Sequence, residues 1–110
     1  MAHKLFTIKN RSTFLMVREK GTFLKGKNLN IQFLFNQDLN NTIGIGYTAT
    51  KRLGKAFKRN KAKRIMRELA KKILINGKIN SYYVLIAKPS LLETPFEKLT
   101  LELEGKINEI

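Results

Sequence analysis

Apolar and polar residues alternate in two stretches of the chain, and a period of two predicts β-strands buried on one face. In the first stretch, residues 29–35, the apolar face carries Leu29, Ile31, Phe33 and Phe35. In the second, residues 43–52, it carries Ile43, Ile45, Tyr47 and Ala49. Asn40 and Asn41 lie in the polar turn between the stretches. We therefore expect the two strands to be antiparallel neighbours.

A helical period follows between Gly54 and Gly77, where apolar residues recur every three or four positions. This stripe consists of Ala62, Ile65, Met66, Leu69, Ala70 and Ile73. The helix is predicted to begin after a turn at Gly54 and to end near Ile75. The apolar run of residues 81–87 is typical of a buried central strand. The order strand, long helix, buried strand predicts a βαβ crossover.

Two shorter helices complete the predicted fold. The first runs to about Lys20, and Gly21 is expected to end it in a left-handed conformation. The last begins near Thr94 and buries Phe96, Leu99, Leu103 and Ile107. Residues 1–9 are expected to be flexible, and the pattern allows a further short strand near residues 22–25. We predict one α+β domain, residues 1–110, with the order α-β-β-(β)-α-β-α.

Composition narrows the classes of function. The chain has no cysteine and one histidine, His3, which excludes disulfide bonds and thiolate metal sites. We expect no catalytic residue and no metal ligand in the protein itself. No apolar run is long enough to span a membrane, and the N terminus lacks the apolar core of a secretory signal. The sequence therefore predicts a cytoplasmic protein with no membrane partner, and a role at a membrane surface is the weaker alternative.

The formal net charge of +14 is unevenly distributed. Residues 51–78 contain twelve basic residues and one acidic residue, whereas residues 79–110 contain three lysines and five glutamates. On a helical wheel, one face opposite the apolar stripe carries Asn60, Lys63, Arg64, Arg67 and Lys71. A phosphate backbone is a natural partner for this cationic ridge. The alternative is a solvated helix face, but such faces usually mix charges of both signs.

The polar face of the two alternating strands suggests a second contact surface. It carries Gln32, Thr48 and Thr50, and Gly46 is expected to let a ligand approach the backbone. The second strand has no acidic residue and leads into Lys51 and Arg52. These features favour a sheet face that binds single-stranded nucleic acid. The alternative is an ordinary solvent-facing surface. Phe14 fits either a core position or a base-stacking position.

The segment from Thr48 to Glu68, TATKRLGKAFKRNKAKRIMRE, resembles the signature of the bacterial ribonuclease P protein subunit. In that family, two basic residues end a strand, a glycine follows, and an Arg-Asn-Arg segment begins a long basic helix. Here the corresponding residues are Lys51, Arg52, Gly54 and then Arg59, Asn60 and Lys61. The likeness covers most of the chain, from about Leu5 to Ile107. Lys61 keeps the charge of the family's second arginine but lacks its planar fork.

The resemblance implies an αβ sandwich with a left-handed βαβ crossover. It implies two partners, the catalytic RNA of ribonuclease P and the 5′ leader of precursor tRNA, whose removal gives the mature tRNA 5′ end. For the leader it suggests Phe14, Gln32, Thr48 and Thr50. For the catalytic RNA it suggests the basic helix, and with the neighbouring cations the predicted set is Lys51, Arg52, Lys55, Arg59, Asn60, Lys61, Lys63, Arg64, Arg67 and Lys71.

The catalytic chemistry is then expected in the RNA, which would also bind the Mg²⁺ that the holoenzyme uses. The protein itself is expected to bind no cofactor and to need no obligate protein partner. A ribosomal or ribosome-associated RNA-binding protein is the main alternative, because its size and charge are similar. A free-standing nuclease is a more distant one, because the basic segment contains only one carboxylate, Glu68, and no histidine.

Overall fold

The computed structural model describes residues 3–110, which fold into one five-stranded sheet and three α-helices. The strands are β1 (Lys4–Thr7), β2 (Thr22–Leu24), β3 (Leu29–Leu34), β4 (Thr42–Thr48) and β5 (Ser81–Ala87). The helices are α1 (Arg11–Lys20), α2 (Ala56–Ile73) and α3 (Phe96–Glu109). Short 3₁₀ turns occupy Lys51–Leu53, Leu74–Asn76 and Pro89–Glu93. The α+β class is confirmed, and β2 confirms the short strand that the pattern allowed.

The sheet has the strand order β1-β4-β5-β3-β2. Strand β5 pairs parallel with β4 and antiparallel with β3, so the prediction that β3 and β4 are neighbours is wrong. The cause lies in β5, whose apolar side chains point to both faces, with Tyr83 and Leu85 on one side and Val84 on the other. A strand with apolar side chains on both faces buries the most apolar surface at the centre of a sheet, where both faces are covered.

Residues 1–9 were predicted to be flexible, and this prediction is wrong for residues 4–7. Residues 4–7 form β1, which pairs parallel with β4 in a register from Lys4 opposite Thr42 to Thr7 opposite Ile45. The backbone N–H of His3 also donates to the carbonyl of Ile75 at 3.1 Å. Met1 and Ala2, included in the same prediction, lie outside the described residues.

The second predicted strand is shorter than its alternation suggested. It ends at Thr48, and Lys51–Leu53 turns away from the sheet because Leu53 is buried in the core at 5% exposure. Gly54 follows with φ +114°, a backbone conformation that other residues rarely adopt, and so directs the chain into α2. The predicted turn at Gly54 is confirmed, whereas Thr50 and Arg52 do not lie on the sheet.

The helices cover both faces of the sheet. Helices α2 and α3 pack on one face, around a core that includes Ile43, Ile45 and Leu85. From α2 this core receives Ala62, Met66, Leu69 and Ala70, which confirms the predicted stripe. Helix α1 packs on the other face, where Val17 contacts a smaller cluster with Ile8 and Val84.

The end of α1 differs from the prediction for Gly21. Its φ is −85°, so the residue is not left-handed. A Cβ at this position would lie 2.4 Å from the carbonyl oxygen of Phe33 and 2.5 Å from that of Val17. Glycine is therefore required here because the end of the helix approaches the backbone of β3 closely, and this approach fixes α1 against the sheet.

The crossover from β4 through α2 to the parallel strand β5 is left-handed. In a strand of L-residues that runs upward, a residue whose side chain points to the viewer directs its N–H and C=O to the right. Ile45 points its side chain to the α2 side, while its carbonyl accepts from Ile8 N–H, on the β1 side, at 2.8 Å. Seen from α2, β5 therefore lies to the left of β4. This is the hand that the family resemblance implies, against the usual right-handed preference.

Helix α3 braces the face of the sheet opposite α1. Its half-buried Glu102 accepts hydrogen bonds from the backbone and the side-chain amide of Asn28, at 2.9 and 2.7 Å. The Thr94 hydroxyl before the helix donates to Asn28 Oδ1 at 3.1 Å. Glu102 therefore holds the loop before β3 in place.

Candidate nucleic-acid interface

A cleft of about 740 Å³ lies between α1 and the sheet and reaches α2. Helix α1 and the segment before it form one wall, the C-terminal half of β4 with its neighbours in β5 and β3 forms the floor, and one lysine comes from α2. The lining residues are Lys9, Arg11, Phe14, Leu15, Arg18, Gln32, Tyr47, Thr48, Ala49, Lys63, Val84 and Ile86.

The floor of the cleft follows from the strand register. Thr48 lies opposite Ile86, and Val84 lies opposite Gln32, so these side chains share the α1 face of three adjacent strands. Gln32 and Thr48 are the hydrogen-bonding groups of this apolar floor. The structure thus brings together three of the four residues predicted for the leader, Phe14, Gln32 and Thr48.

Phe14 packs against the smaller core cluster, between α1 and the sheet, and also lines the cleft. A Cβ on Gly46 would lie only 2.5 Å from Cε1 of this ring and 2.8 Å from Cζ. The space above Gly46 is therefore filled by Phe14. The prediction that Gly46 admits a ligand is wrong, because the close approach is made by the protein's own aromatic ring.

Thr50, the fourth residue predicted for the leader, does not line the cleft. It is exposed, and its carbonyl accepts from Leu53 N–H at 3.1 Å in the 3₁₀ turn. The cause is the early end of β4 at Thr48, which takes Thr50 out of the alternation. Lys51, Arg52 and Lys55 are exposed beside it, on the approach to α2.

The cationic ridge of α2 is exposed as predicted for Asn60, Arg64, Arg67 and Lys71. Lys63, its remaining member, is half-buried because it reaches the cleft. Lys61 is also exposed, on the first turns of the helix. One lysine therefore belongs to both predicted surfaces, and the ridge and the cleft are continuous.

Two of the predicted RNA-binding cations already have partners within the protein. The Arg59 guanidinium donates to the carbonyl of Gly54 at 3.1 Å and so supports the turn before α2. Four of its five N–H groups remain available by the stoichiometry of the side chain. Lys71 forms an ion pair with Glu68 at 3.6 Å, so its charge is partly balanced.

The sequence predictions missed several cleft residues. Arg11, Leu15 and Arg18 lie four and three residues apart, the spacing of one helix face, and that spacing was the available signal. Tyr47 was assigned to the core, and it does pack there, but it also lines the cleft. Lys9 was missed because the segment before α1 was predicted to be flexible.

Tyr47 joins the cleft to the ridge. The guanidinium carbon of Arg67 lies 5.8 Å from the centre of its ring, a cation–π contact. Burial raises the pKa of Tyr47, and the positive charge of Arg67 opposes this effect without reversing it. The phenol is therefore protonated at neutral pH and able to donate a hydrogen bond.

Comparison with known proteins decides the family. A model of the Ribonuclease P family matches residues 2–110. The chain belongs to this family. It is 30% identical over 101 residues to the ribonuclease P protein component of Symbiobacterium thermophilum, covering 92% of this chain and 87% of that protein. It is also 30% identical over 104 residues to that of Nitratiruptor sp., covering 94% and 91%.

Solved structures show the same fold. The RNase P protein of Thermotoga maritima superposes with a TM-score of 0.81 at 22% identity, covering 96% of this chain and 97% of that one. The RNase P protein of Staphylococcus aureus superposes with a TM-score of 0.80 at 22% identity, covering 94% of each chain. At this identity the structural match supports the fold, whereas the family assignment rests on sequence.

Membership of the family gives the chain a role in processing the 5′ end of tRNA as a subunit of ribonuclease P, with RNA as its partner. The alternative of a ribosomal protein is not favoured. Within residues 3–110, no helix is long and apolar enough to cross a membrane. The same residues contain no group of three or more His, Cys, Asp or Glu side chains that could hold a metal ion.

The contact of Phe14 with Gly46 is open to a direct test. We expect Gly46→Ala to displace the ring and to lower the free energy of unfolding by about 1–3 kcal/mol, the usual cost of overpacking. Urea denaturation measures this loss. Gly105→Ala is the matched control, because a Cβ there meets nothing within 4 Å and alanine favours the surrounding helix. Equal stability of the two variants would contradict the packing described for Phe14.

Proposed function

We propose that the protein binds the catalytic RNA of ribonuclease P with the exposed face of α2 and holds the 5′ leader of precursor tRNA in the cleft under α1. The observation that carries this proposal is the continuity of the two surfaces at Lys63, which belongs to α2 and lines the cleft. An RNA strand in the cleft would lie beside a strand on α2, so one protein would hold two RNAs together.

The charge pattern of α2 supports its role as the surface for the RNA subunit. Arg64 and Arg67 are exposed and three residues apart, and Lys63 and Arg67 are four apart, so like charges are neighbours on the helix. Among residues 3–110, the one acidic partner of this ridge is Glu68, which pairs with Lys71. Phosphates bound along the ridge would remove the repulsion that the free helix carries.

The residues that line the cleft suit a single strand of nucleic acid better than a duplex. An unpaired nucleotide exposes the face and the edge of its base, which aromatic rings and polar side chains bind. The cleft offers the Phe14 ring together with the amide of Gln32 and the hydroxyl of Thr48. Its wall adds cations for the backbone, Lys9, Arg11 and Arg18.

The side chains of the cleft are groups for binding, namely cations, amide, hydroxyls and apolar surface. General acid–base catalysis instead requires a group whose pKa lies near the working pH, placed at the scissile bond. We therefore assign the chemical step and the binding of Mg²⁺ to the RNA subunit, in the cytoplasm. The protein would contribute by neutralising phosphates where the leader and the RNA subunit approach each other, which strengthens substrate binding.

The assignment of chemistry to the RNA predicts how cleavage depends on magnesium. At low magnesium, the protein should switch on cleavage of precursor tRNA at the mature 5′ end by a bacterial ribonuclease P RNA. The protein alone should cut nothing, and RNA alone should need more magnesium because it lacks the protein's cations. Gel analysis of labelled precursor measures all three cases. Cleavage by the protein alone would refute the assignment.

The role of α2 predicts a change in salt dependence. The double variant Arg64→Ala with Arg67→Ala should bind the RNA subunit more weakly. The slope of log affinity against log salt should become shallower by about 0.7–0.9 for each phosphate that is no longer neutralised. Filter binding over a salt series measures this slope. Lys98→Ala with Lys106→Ala removes the same charge from α3 and serves as control. If both pairs changed the slope equally, the ridge would have no special role in binding phosphates.

The cleft predicts a selective effect on precursor tRNA. Phe14→Leu keeps apolar packing on the sheet but removes the aromatic face. It should weaken the holoenzyme's affinity for precursor by about 1–3 kcal/mol, the usual value of one base stacked on an aromatic ring. Affinity for mature tRNA should change little, since it lacks a leader. Circular dichroism checks that the fold survives. Equal weakening for both tRNAs would assign Phe14 to the core alone.

A further inference from the structure

The three tyrosines of the chain have different surroundings. The Tyr83 ring is buried at 2% exposure, and its hydroxyl accepts from the backbone N–H of Lys78 at 3.1 Å. Tyr82 packs edge-on against Phe6, with ring centres 6.3 Å apart, on the part of the sheet near β1. Tyr47 alone of the three lines the cleft between α1 and the sheet. Of the three tyrosines, Tyr47 is therefore the one that a ligand in this cleft would meet.

The position of Tyr47 follows from the short strand β1. Pairing of β1 with β4 ends at Ile45, where the carbonyl accepts from Ile8 N–H at 2.8 Å. The next residues of β4 lie at an edge that the described residues of β1 do not cover. Lys63 of α2 also lines the cleft. Tyr47 therefore lies at the junction where the cleft under α1 meets the cations of α2.

Packing holds the Tyr47 side chain in place before any ligand binds. Its ring contacts the core beside α2 and lies 5.8 Å from the guanidinium of Arg67. A side chain already fixed by such packing loses little conformational entropy on binding. Among the side-chain hydrogen bonds of residues 3–110, none involves the Tyr47 hydroxyl, in contrast to that of Tyr83. The ring is thus anchored while its polar end remains available.

The chemistry of the junction distinguishes two parts of the RNA backbone. Lys63 and Arg67 can only donate hydrogen bonds, and their charge suits phosphate oxygens. A ribose 2′-hydroxyl both donates and accepts, and only a partner that can also accept makes use of its proton. A phenol can do both. Tyr47 supplies a function that the neighbouring cations lack.

We propose that the hydroxyl of Tyr47 hydrogen-bonds a ribose 2′-hydroxyl of the leader where the strand leaves the cleft toward α2. This inference rests on the proposed leader site and gives the site a means of preferring RNA to DNA. The 2′-hydroxyl is the group by which a protein distinguishes the two nucleic acids. Tyr47 is then a specificity-determining residue that takes no part in the chemical step.

The test combines a protein change with a change in the leader. Holoenzyme reconstituted with a bacterial ribonuclease P RNA carries either wild-type protein or Tyr47→Phe. The substrates are precursor tRNAs whose leaders are all RNA or carry one 2′-deoxy nucleotide at each position in turn. For the wild type, one deoxy position should weaken binding by about 2- to 10-fold, the usual effect of one neutral hydrogen bond. Tyr47→Phe should weaken binding of the all-RNA leader equally and be insensitive to that deoxy position.

Two further readouts separate this hydrogen bond from a structural effect. Tyr47→Phe removes no charge, so the salt slope of binding should stay at the wild-type value. Tyr83→Phe is the matched control, because its hydroxyl is used within the protein: it should lower the melting temperature and leave leader binding unchanged. Tyr47→Phe should instead keep the wild-type melting temperature and weaken leader binding.

Three results would overturn the inference. The first is a Tyr47→Phe variant that binds the all-RNA leader as tightly as the wild type. The second is an equal weakening on all-RNA leaders and on every deoxy leader, which would place the hydrogen bond on a phosphate or a base. The third is wild-type holoenzyme that binds precursor no better than mature tRNA, which would reject the leader site itself. The first two results would leave the proposed leader site intact. Failure of the Tyr47 inference is therefore distinguishable from failure of the leader site.

Discussion

The burial of one stripe of α2 determines most of the surface chemistry of this protein. Met66 and Leu69 are fully buried against the sheet, and Ala62 and Ala70 let the helix approach it closely. With that face fixed, the 3.6-residue period leaves the cations only the remaining faces. The cationic ridge is therefore a consequence of core packing, and its rigidity comes from the core. A flexible basic tail of equal charge would attract RNA but could not hold it at a defined distance from the sheet.

The second constraint is the limited extent of β1. Because this strand pairs with β4 only as far as Ile45, no residue of β1 pairs with the last three residues of β4. Helix α1 then forms a cleft with the sheet through the packing of Phe14 on Gly46. A longer β1 would cover this edge and separate the two faces. This short strand contributes little to the core, and the ridge and the cleft meet at Lys63.

Local sequence pattern was informative about where elements lie and which faces they bury. The stripe of α2, the span of β5 and the alternation that turns Gln32 and Thr48 toward the cleft are encoded by neighbours in the sequence. Alternation does not show which strand lies beside which, so β3 and β4 were paired wrongly. The prediction for Thr50 failed because the chain leaves the sheet to bury Leu53, a tertiary effect that local pattern does not contain. The family resemblance supplied the partners, which no pattern of charge could have identified.

The two surfaces differ in what they can recognise. Under the proposed function, cations on α2 would bind phosphates, which every RNA presents at regular spacing, so this surface would provide affinity without information about sequence. The cleft adds an aromatic face, an amide and hydroxyls, groups that respond to whether a strand is unpaired and whether it is RNA. Under the proposed function, this combination would let the cleft hold single-stranded leaders of differing sequence. Stacking on the Phe14 ring and contacts to the sugar tolerate any base, whereas hydrogen bonds from Gln32 or Thr48 to a base edge would favour some bases over others.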